Sequence, residues 1–409
     1  MKGLNTRITT FTLIVLTEMY SRVCLLCIIV TLSLGYVASK PGVEENKKIF
    51  SVSLDVINPR DRNCKFMSNQ SKCEVDLSGV KNSVTVANRD DGMFYVMTIQ
   101  IGEAKQAFKV QIDTGSSLLW VFGSNCLDDE SDYCKGHPKY VLEKDKEYED
   151  FSIEYESGET SGKEVTDVVH VTDEIGIQDM LFGAAGEVGE EYEGHDGVMG
   201  LNIAIPGRYP SVISKMIEQD LITAPAFALY LNGGKSSEDG GEITFGGHNE
   251  DLVGSGSSVM TEILRYDIMV KMTSLKLGEE LYCRPRARGC RLIIDSGSSE
   301  MSAPLAFVTK LHTEIKAGEH RIVDCDEIEN FPTIEIMFGE SLLTIESKYY
   351  IGVEEKEDEK VVERLCYSLF VKTDEDEYDW LFGVPIFVKY YIEFDYTKSN
   401  EHITFWTKK

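Results

Sequence analysis

Basic residues are scarce in this chain of 409: 41 Lys and Arg stand against 69 Asp and Glu, a formal net charge of -28. A surface of that sign repels phosphate and excludes nucleic acid as a partner. It keeps the protein soluble, and its self-repulsion relaxes in acid as carboxylates take up protons, which suits an acidic working compartment. Histidine is rare too, 7 in all and scattered, so no set of Cys and His ligands converges, and no metal or cofactor is expected. Neither a G-x-S-x-G elbow nor an H-E-x-x-H helix occurs, which leaves a serine or zinc hydrolase without support.

Long apolar runs are confined to the N-terminus. Val23–Ala38 follows Arg22 and ends in the small residues Ala38 and Ser39, the pattern of a secretory signal cut near Ser39. A second apolar patch, Phe11–Leu16, lengthens the region before it, so residues 1–39 are read as a signal peptide or an uncleaved signal anchor. Only the anchor reading involves a membrane. Residues 40–82 are faintly basic and the remainder acidic, as in a precursor whose leader lies against its own protein.

Of the 10 cysteines, Cys24 and Cys27 lie inside the apolar leader and are set aside. The others follow in the order Cys64, Cys73, Cys126, Cys134, Cys283, Cys290, Cys325 and Cys366. An even number at short spacings in a secreted chain argues for disulfides that close local loops; the connectivity stays open.

With 42% apolar residues the chain can bury a large core and form two domains. An internal repeat shows how they are organised. QIDTGSSLLW spans Gln111–Trp120 and LIIDSGSSEM spans Leu292–Met301. At nearly the same distance downstream of each comes an apolar-apolar-Gly triplet, Val198-Met199-Gly200 and Leu381-Phe382-Gly383. Helical periodicity recurs in each half, at Val212, Ile213, Met216 and Ile217 and again at Leu305, Val308, Leu311 and Ile315. The rest reads as short Val-, Ile-, Tyr- and Phe-rich strands broken by Gly and Asp/Asn turns. The expected architecture is mostly β: two lobes of like plan, residues 83–254 and 255–409, related by a pseudo-twofold axis and carrying a few short helices.

A lone Asp-Thr-Gly is most often a turn. That reading covers either copy singly but not two copies that both follow an apolar strand. If the lobes pack about a twofold axis, Asp113 and Asp295 meet on it. Two carboxylates in contact cannot both ionise cheaply, so they share one proton and titrate apart. Such a pair holds an acid and a base together and can activate water against a carbonyl without metal or covalent intermediate.

These segments resemble the pepsin family of aspartic proteases, which includes cathepsin D and the plasmepsins. DTGSSLLWVFGSNC at Asp113–Cys126 and DSGSS at Asp295–Ser299 match its two active-site motifs. HDGVMGLN at His195–Asn202, WLFGVPIFVKYYIEFDY at Trp380–Tyr396 and FSIEYESGETSG at Phe151–Gly162, the last similar to the family's flap, extend the resemblance over most of the chain from Phe94 to Phe405. The resemblance implies a bilobal pepsin-like fold, a monomeric endopeptidase acting on proteins or peptides, and sensitivity to pepstatin-type inhibitors. It makes Asp113 and Asp295 the catalytic pair. Thr114 and Ser296 become a cross-lobe hydroxyl grip, Gly115 and Gly297 the close-approach glycines, and Ser116 and Ser298 donors to the outer carboxylate oxygens. Tyr155, Glu156, Ser157 and Gly158 fall in the flap, with Trp120 holding the hydroxyl of Tyr155. By themselves Tyr155 reads as an ordinary strand aromatic and Trp120 as core. The resemblance also places disulfides at Cys126–Cys134, Cys283–Cys290 and Cys325–Cys366, and a secreted or vacuolar, lysosome-like location.

Departures from the family pattern are informative. Gln111 stands where an apolar residue often lines the S1 pocket, His195 replaces a frequent Phe, Asp267 a common Trp, and Glu156 the Gly of pepsin. These are neutral rim differences or a more polar S1 side. Residues 40–82 occupy the place of an inhibitory propeptide but are only weakly basic and contain Cys64 and Cys73, so they are read as a propeptide or a retained N-terminal extension. Asn69-Gln70-Ser71 is an N-glycosylation sequon. A pepsin-fold binding or inhibitory protein without catalysis is the alternative function; the intact pair and its glycines argue against it.

Overall fold

Val, Ile, Phe and Tyr at alternate positions fold into short strands whose buried residues recur with a period of two, and four brief α-helices interrupt them among the described residues. The computed structural model describes residues 49–57, 94–127, 132–155, 158–189, 195–203, 209–233, 240–265, 268–283, 290–358, 361–373, 379–398 and 400–409. The leader, Cys64, Cys73, Asn69, Glu156, Ser157 and Asp267 lie outside them.

The first described strand is β1 (Phe50–Ile57). The first half continues with β2 (Phe94–Ile101), β3 (Gln106–Asp113), β4 (Leu119–Phe122), β5 (Asp150–Tyr155), β6 (Gly158–His170), β7 (Gly176–Val188) and β8 (Gly197–Gly200). Their pairing closes on itself. β2 and β3 are antiparallel, β3 and β8 parallel, β8 and β4 antiparallel, β4 and β7 parallel, and β7 and β6 antiparallel. β6 then returns to β2 through Gln100 opposite His170 and Ile101 opposite Val169. β5 and β6 form the hairpin that carries Tyr155.

After β9 (Ala226–Leu231) and β10 (Gly241–Phe245) the second half begins with β11 (Val259–Arg265), β12 (Met269–Met272), β13 (Ser274–Leu277), β14 (Glu280–Cys283), β15 (Cys290–Ile294) and β16 (Met301–Ala303). It continues through β17 (Ile322–Val323), β18 (Ile334–Phe338), β19 (Ser341–Ile345), β20 (Ile351–Asp358), β21 (Val361–Ser368), β22 (Phe370–Lys372) and β23 (Trp380–Phe382), and ends with β24 (Tyr390–Asp395) and β25 (His402–Thr407). The pairings β12–β15, β15–β23, β23–β16 and β16–β22 run antiparallel, parallel, antiparallel, parallel. The same sequence of directions links β2, β3, β8, β4 and β7, so the motif repeat is also a repeat of topology. Two smaller sheets, β14-β13-β18-β19 and β17-β21-β20, complete this half.

An antiparallel sheet of β1, β10, β9, β24, β25 and β11 joins the halves. Its edge strands are counterparts. β1 pairs with β10 over Phe50–Leu54 and passes on to β2 over Asp55–Ile57. β11 pairs with β25 over Val259–Glu262 and passes on to β12. Part of the stretch 40–82 is thus built into the sheet that spans the molecule. This is the bilobal pepsin-like fold, mostly β with few short helices.

The first two helices fall where the periodicity places them. α1 (Val212–Glu218) starts at Ser211, whose hydroxyl accepts from the Ser214 N–H, and it buries Val212, Ile213 and Met216. α2 (Leu305–Glu314) follows Pro304 and buries Phe307, Val308 and Leu311. α3 (Ser347–Tyr350) and α4 (Val384–Lys389) are short, and they put Tyr350, Ile386 and Phe387 into the core. Cys126–Cys134, Cys283–Cys290 and Cys325–Cys366 are bonded, with Cα separations of 5.5, 5.8 and 5.4 Å. Among the described residues no helix is long and apolar enough to cross a membrane.

β1 contributes to the core as well as to the sheet: Leu54 is 1% exposed, and the Phe50 ring lies 5.2 Å from that of Phe245. Leu54→Ala in the full chain is expected to cost about 3 kcal/mol of stability, measured by urea unfolding; a loss below about 0.5 kcal/mol would show that β1 does not pack as described.

Candidate active site

Asp113 ends β3, and Asp295 follows β15 directly. Parallel partners hold both: β8 lies beside β3 and β23 beside β15. Main-chain bonds then tie each motif loop to its triplet. The Leu201 N–H donates to Asp113 O at 2.7 Å and the Gly200 N–H to Leu118 O at 3.0 Å. In the second half the Asp295 N–H donates to Phe382 O at 3.0 Å and the Val384 N–H to Ser298 O at 2.7 Å. The triplet glycines are needed because the loop lies directly on them: a Cβ at Gly200 falls 2.5 Å from the Ser117 carbonyl carbon, and one at Gly383 falls on the Ser298 carbonyl oxygen. The apolar-apolar-Gly pattern therefore supplies two strand residues and a seat for the Asp loop.

Thr114 and Ser296 cross between the halves. Thr114 Oγ1 donates to Ile294 O at 2.9 Å and accepts from the Ser296 N–H at 2.9 Å. Ser296 Oγ donates to Ile112 O at 2.8 Å and accepts from the Thr114 N–H at 3.1 Å. Both side chains are buried, so these four bonds are exchanged in low dielectric, where leaving any one unmade costs about 1–3 kcal/mol.

The grip brings the two carboxyl groups face to face. The Gly115 N–H reaches Asp113 Oδ1 at 2.7 Å and Asp295 Oδ1 at 3.1 Å, so one donor serves both inner oxygens. The Gly297 N–H donates to Asp295 Oδ1 at 2.8 Å. Ser116 Oγ donates to Asp113 Oδ2, and Ser298 Oγ to Asp295 Oδ2 at 2.6 Å. Glycine is required at both positions, since a Cβ at Gly115 sits 2.8 Å from Asp295 Oδ1 and one at Gly297 sits 2.5 Å from Asp113 Oδ1.

Burial pushes the Asp113 carboxyl well above the ordinary carboxylate range, and the adjacent Asp295 charge and a carboxyl–carboxyl hydrogen bond push it the same way. The Ser116 hydroxyl and the Gly115 N–H act against this. The arrangement favours one proton on the pair, a hydrogen-bond donor and a general base side by side.

The β5–β6 hairpin stands over β4. Trp120 Nε1 donates to Tyr155 Oη at 3.0 Å, and Leu118, Trp120, Phe151 and Val198 form a cluster with Ile153, Tyr155 and Tyr209 packed against it. Gly158 opens the returning strand at φ 142. Gln111 is buried, and its Nε2 donates to Gly297 O at 2.9 Å. His195 is buried too, with Nδ1 on Gly197 O at 2.9 Å and its ring edge-on to Phe94 at 5.6 Å. Three participants had no signal in the sequence. Tyr209 joins the Trp120 cluster from a loop, and the carbonyls of Ile112 and Ile294 take part in the grip through main-chain atoms that any residue carries.

Comparisons with known proteins bear on this geometry. The family model described as eukaryotic aspartyl protease matches residues 94–405. Cathepsin E of Rattus norvegicus is 29% identical over 308 residues, 71% of this chain and 74% of that protein. Cathepsin D of Chionodraco hamatus is 28% identical over 373 residues, covering 85% and 91%. Gastricsin of Mus musculus is 28% identical over 316 residues, covering 74% and 78%.

A raised folded pKa has a consequence for stability. Unfolded, the Asp113 carboxyl titrates near 3.8, so its contribution to stability is fully present below that pH and is lost as pH rises through the higher folded value. Asp113→Asn is therefore expected to raise the melting midpoint near neutral pH, with the gap closing on acidification toward the ordinary carboxylate range. Equal midpoints at all pH values would contradict the crowded, buried pair.

Proposed function

The chain belongs to the eukaryotic aspartyl protease family, and on that premise we propose that it is an endopeptidase that hydrolyses peptide bonds in proteins with Asp113 and Asp295. The observation that carries this reading is the single Gly115 N–H shared by two inner carboxylate oxygens. A water held between the carboxyl groups loses a proton to the ionised member as its oxygen attacks the scissile carbonyl carbon. The protonated member gives its proton to the carbonyl oxygen. Collapse of the resulting gem-diol breaks the C–N bond as the nitrogen takes up a proton, yielding an acid and an amine. Greater burial supports Asp113 as the holder of the proton at the start. No metal or covalent intermediate is needed.

The supporting shell follows the same logic. Thr114 and Ser296 keep the carboxyl groups in register, Gly115 and Gly297 stabilise the charge on the inner oxygens, and Ser116 and Ser298 orient the outer ones. Tyr155, positioned by Trp120, closes over an extended peptide together with Glu156, Ser157 and Gly158. Substrates are proteins or peptides, pepstatin-type inhibitors compete with them, and the enzyme acts as a monomer because one chain supplies both aspartates. The disulfides, the leader and the acid-tolerant charge suit a secretory or acidic vacuolar compartment. The chain is made as a precursor, and N-terminal sequencing of the active form tests this: a form that begins upstream of Cys64 would mean a retained extension.

A binding protein built on the same fold is disfavoured by the complete set of dyad donors. Digestion of casein or haemoglobin in acid, with and without pepstatin, separates the two. Asp295→Asn is expected to lower turnover by roughly 10³-fold or more while the unfolding curve stays cooperative. Undiminished turnover in that variant would be fatal to the mechanism.

A further inference from the structure

The strand period of two places Gln111 on the same face of β3 as Asp113. Its equivalent in the other half, two residues before Asp295, is Ile293. The neighbours correspond as well: Gln111 lies opposite Val96 and Val198, and Ile293 opposite Met269 and Leu381. Ile293 packs against Met269 and Leu381 in a small apolar cluster. Gln111 instead carries a buried amide into the same kind of environment, and its Nε2 crosses between the halves to Gly297 O at 2.9 Å.

Gly297, like Gly115, is closely engaged with the pair. Its N–H lies on Asp295 Oδ1 at 2.8 Å, and its Cα faces Asp113 closely enough to forbid a Cβ. Holding its carbonyl limits how far the residue whose N–H faces Asp295 can turn. We propose that Gln111 is a positioning residue for the carboxylate pair, holding Gly297 so that its N–H stays on the inner oxygen of Asp295. Ile293, having no donor, cannot do the same for Gly115, so the dyad is tied more firmly on one side. The remaining groups that face the Asp295 carboxyl are Asp113 from the end of β3, the Gly115 N–H and Ser298 Oγ. A hydrogen bond to the ionised form lowers the pH at which the pair takes up its second proton, and a loosened one raises it.

The kinetic arm of the test rests on the proteolytic reading above; the titration arm does not. Gln111→Leu keeps the volume and removes the donor. In the folded variant, aspartate carboxyl ¹³C resonances are expected to show the lower titration step of the pair shifted up by roughly half a pH unit. The acid limb of kcat/KM should follow, with kcat about tenfold lower and KM little changed. A pocket-lining role would move KM and side-chain preference and leave the titration alone. Gln111→Glu is the second variant, decisive if the leucine form does not fold. Protonated, its O–H can donate to Gly297 O and restore kcat; ionised, it repels that oxygen, so activity should fall away at lower pH than in the native protein. An unmoved lower step in Gln111→Leu, or a Gln111→Glu profile that matches the native one, overturns the proposal. Absence of turnover in the native protein would sink the proteolytic reading, and the titration would still decide the role of Gln111.

Discussion

Two carboxyl groups that share one backbone N–H in a buried seam repel each other once both are ionised, and four hydrogen bonds exchanged by Thr114 and Ser296 hold them there regardless. Each of those bonds joins one half of the chain to the other, so the grip exists only when both halves are folded and docked. Everything else at the centre answers to that constraint. The strands beneath the motifs present the aspartates at their ends, the triplet glycines let the loops sit close, and the motif glycines give the carboxylates room.

The two halves repeat in topology but differ in chemistry. Identical sequences of antiparallel and parallel pairings place Asp113 and Asp295 in equivalent positions. Around them the first half supplies the β5–β6 hairpin, the Trp120–Tyr155 hydrogen bond and the buried amide of Gln111, while the second supplies the apolar trio of Met269, Ile293 and Leu381. Burial falls unequally on the aspartates as well, and an unequal environment is what lets like groups take different protonation states.

Docking of the halves is secured away from the dyad by the six-stranded sheet. Backbone ladders across β9 and β24 cross from one half to the other, and the stacked rings of Phe227 and Phe394, 4.8 Å apart, fill the space beside them. β1 closes one edge as β11 closes the opposite one. Phe50–Ile57, within the stretch read from the sequence as a propeptide or N-terminal extension, therefore belongs to the sheet on which both halves rest, and a change at that edge is felt by that sheet.

The paired Asp motifs, their Gly-ending triplets, the two helices and the eight-cysteine pattern were legible because each is local: a turn needs Gly, a strand alternates, a helix repeats at 3.6 residues. Three of the cysteine pairs matched what resemblance to a family implies. The partner of Gln111 was not legible, nor was the place of Tyr209 or of β1. A period of two says which residues share a face; it does not say which remote strand or loop will lie against that face. The sequence by itself determined which residues carry acid, hydroxyl and close-approach chemistry. Only the tertiary structure decided which of them meet, because those contacts form through backbone atoms and packing that every residue offers alike and that long-range docking alone selects.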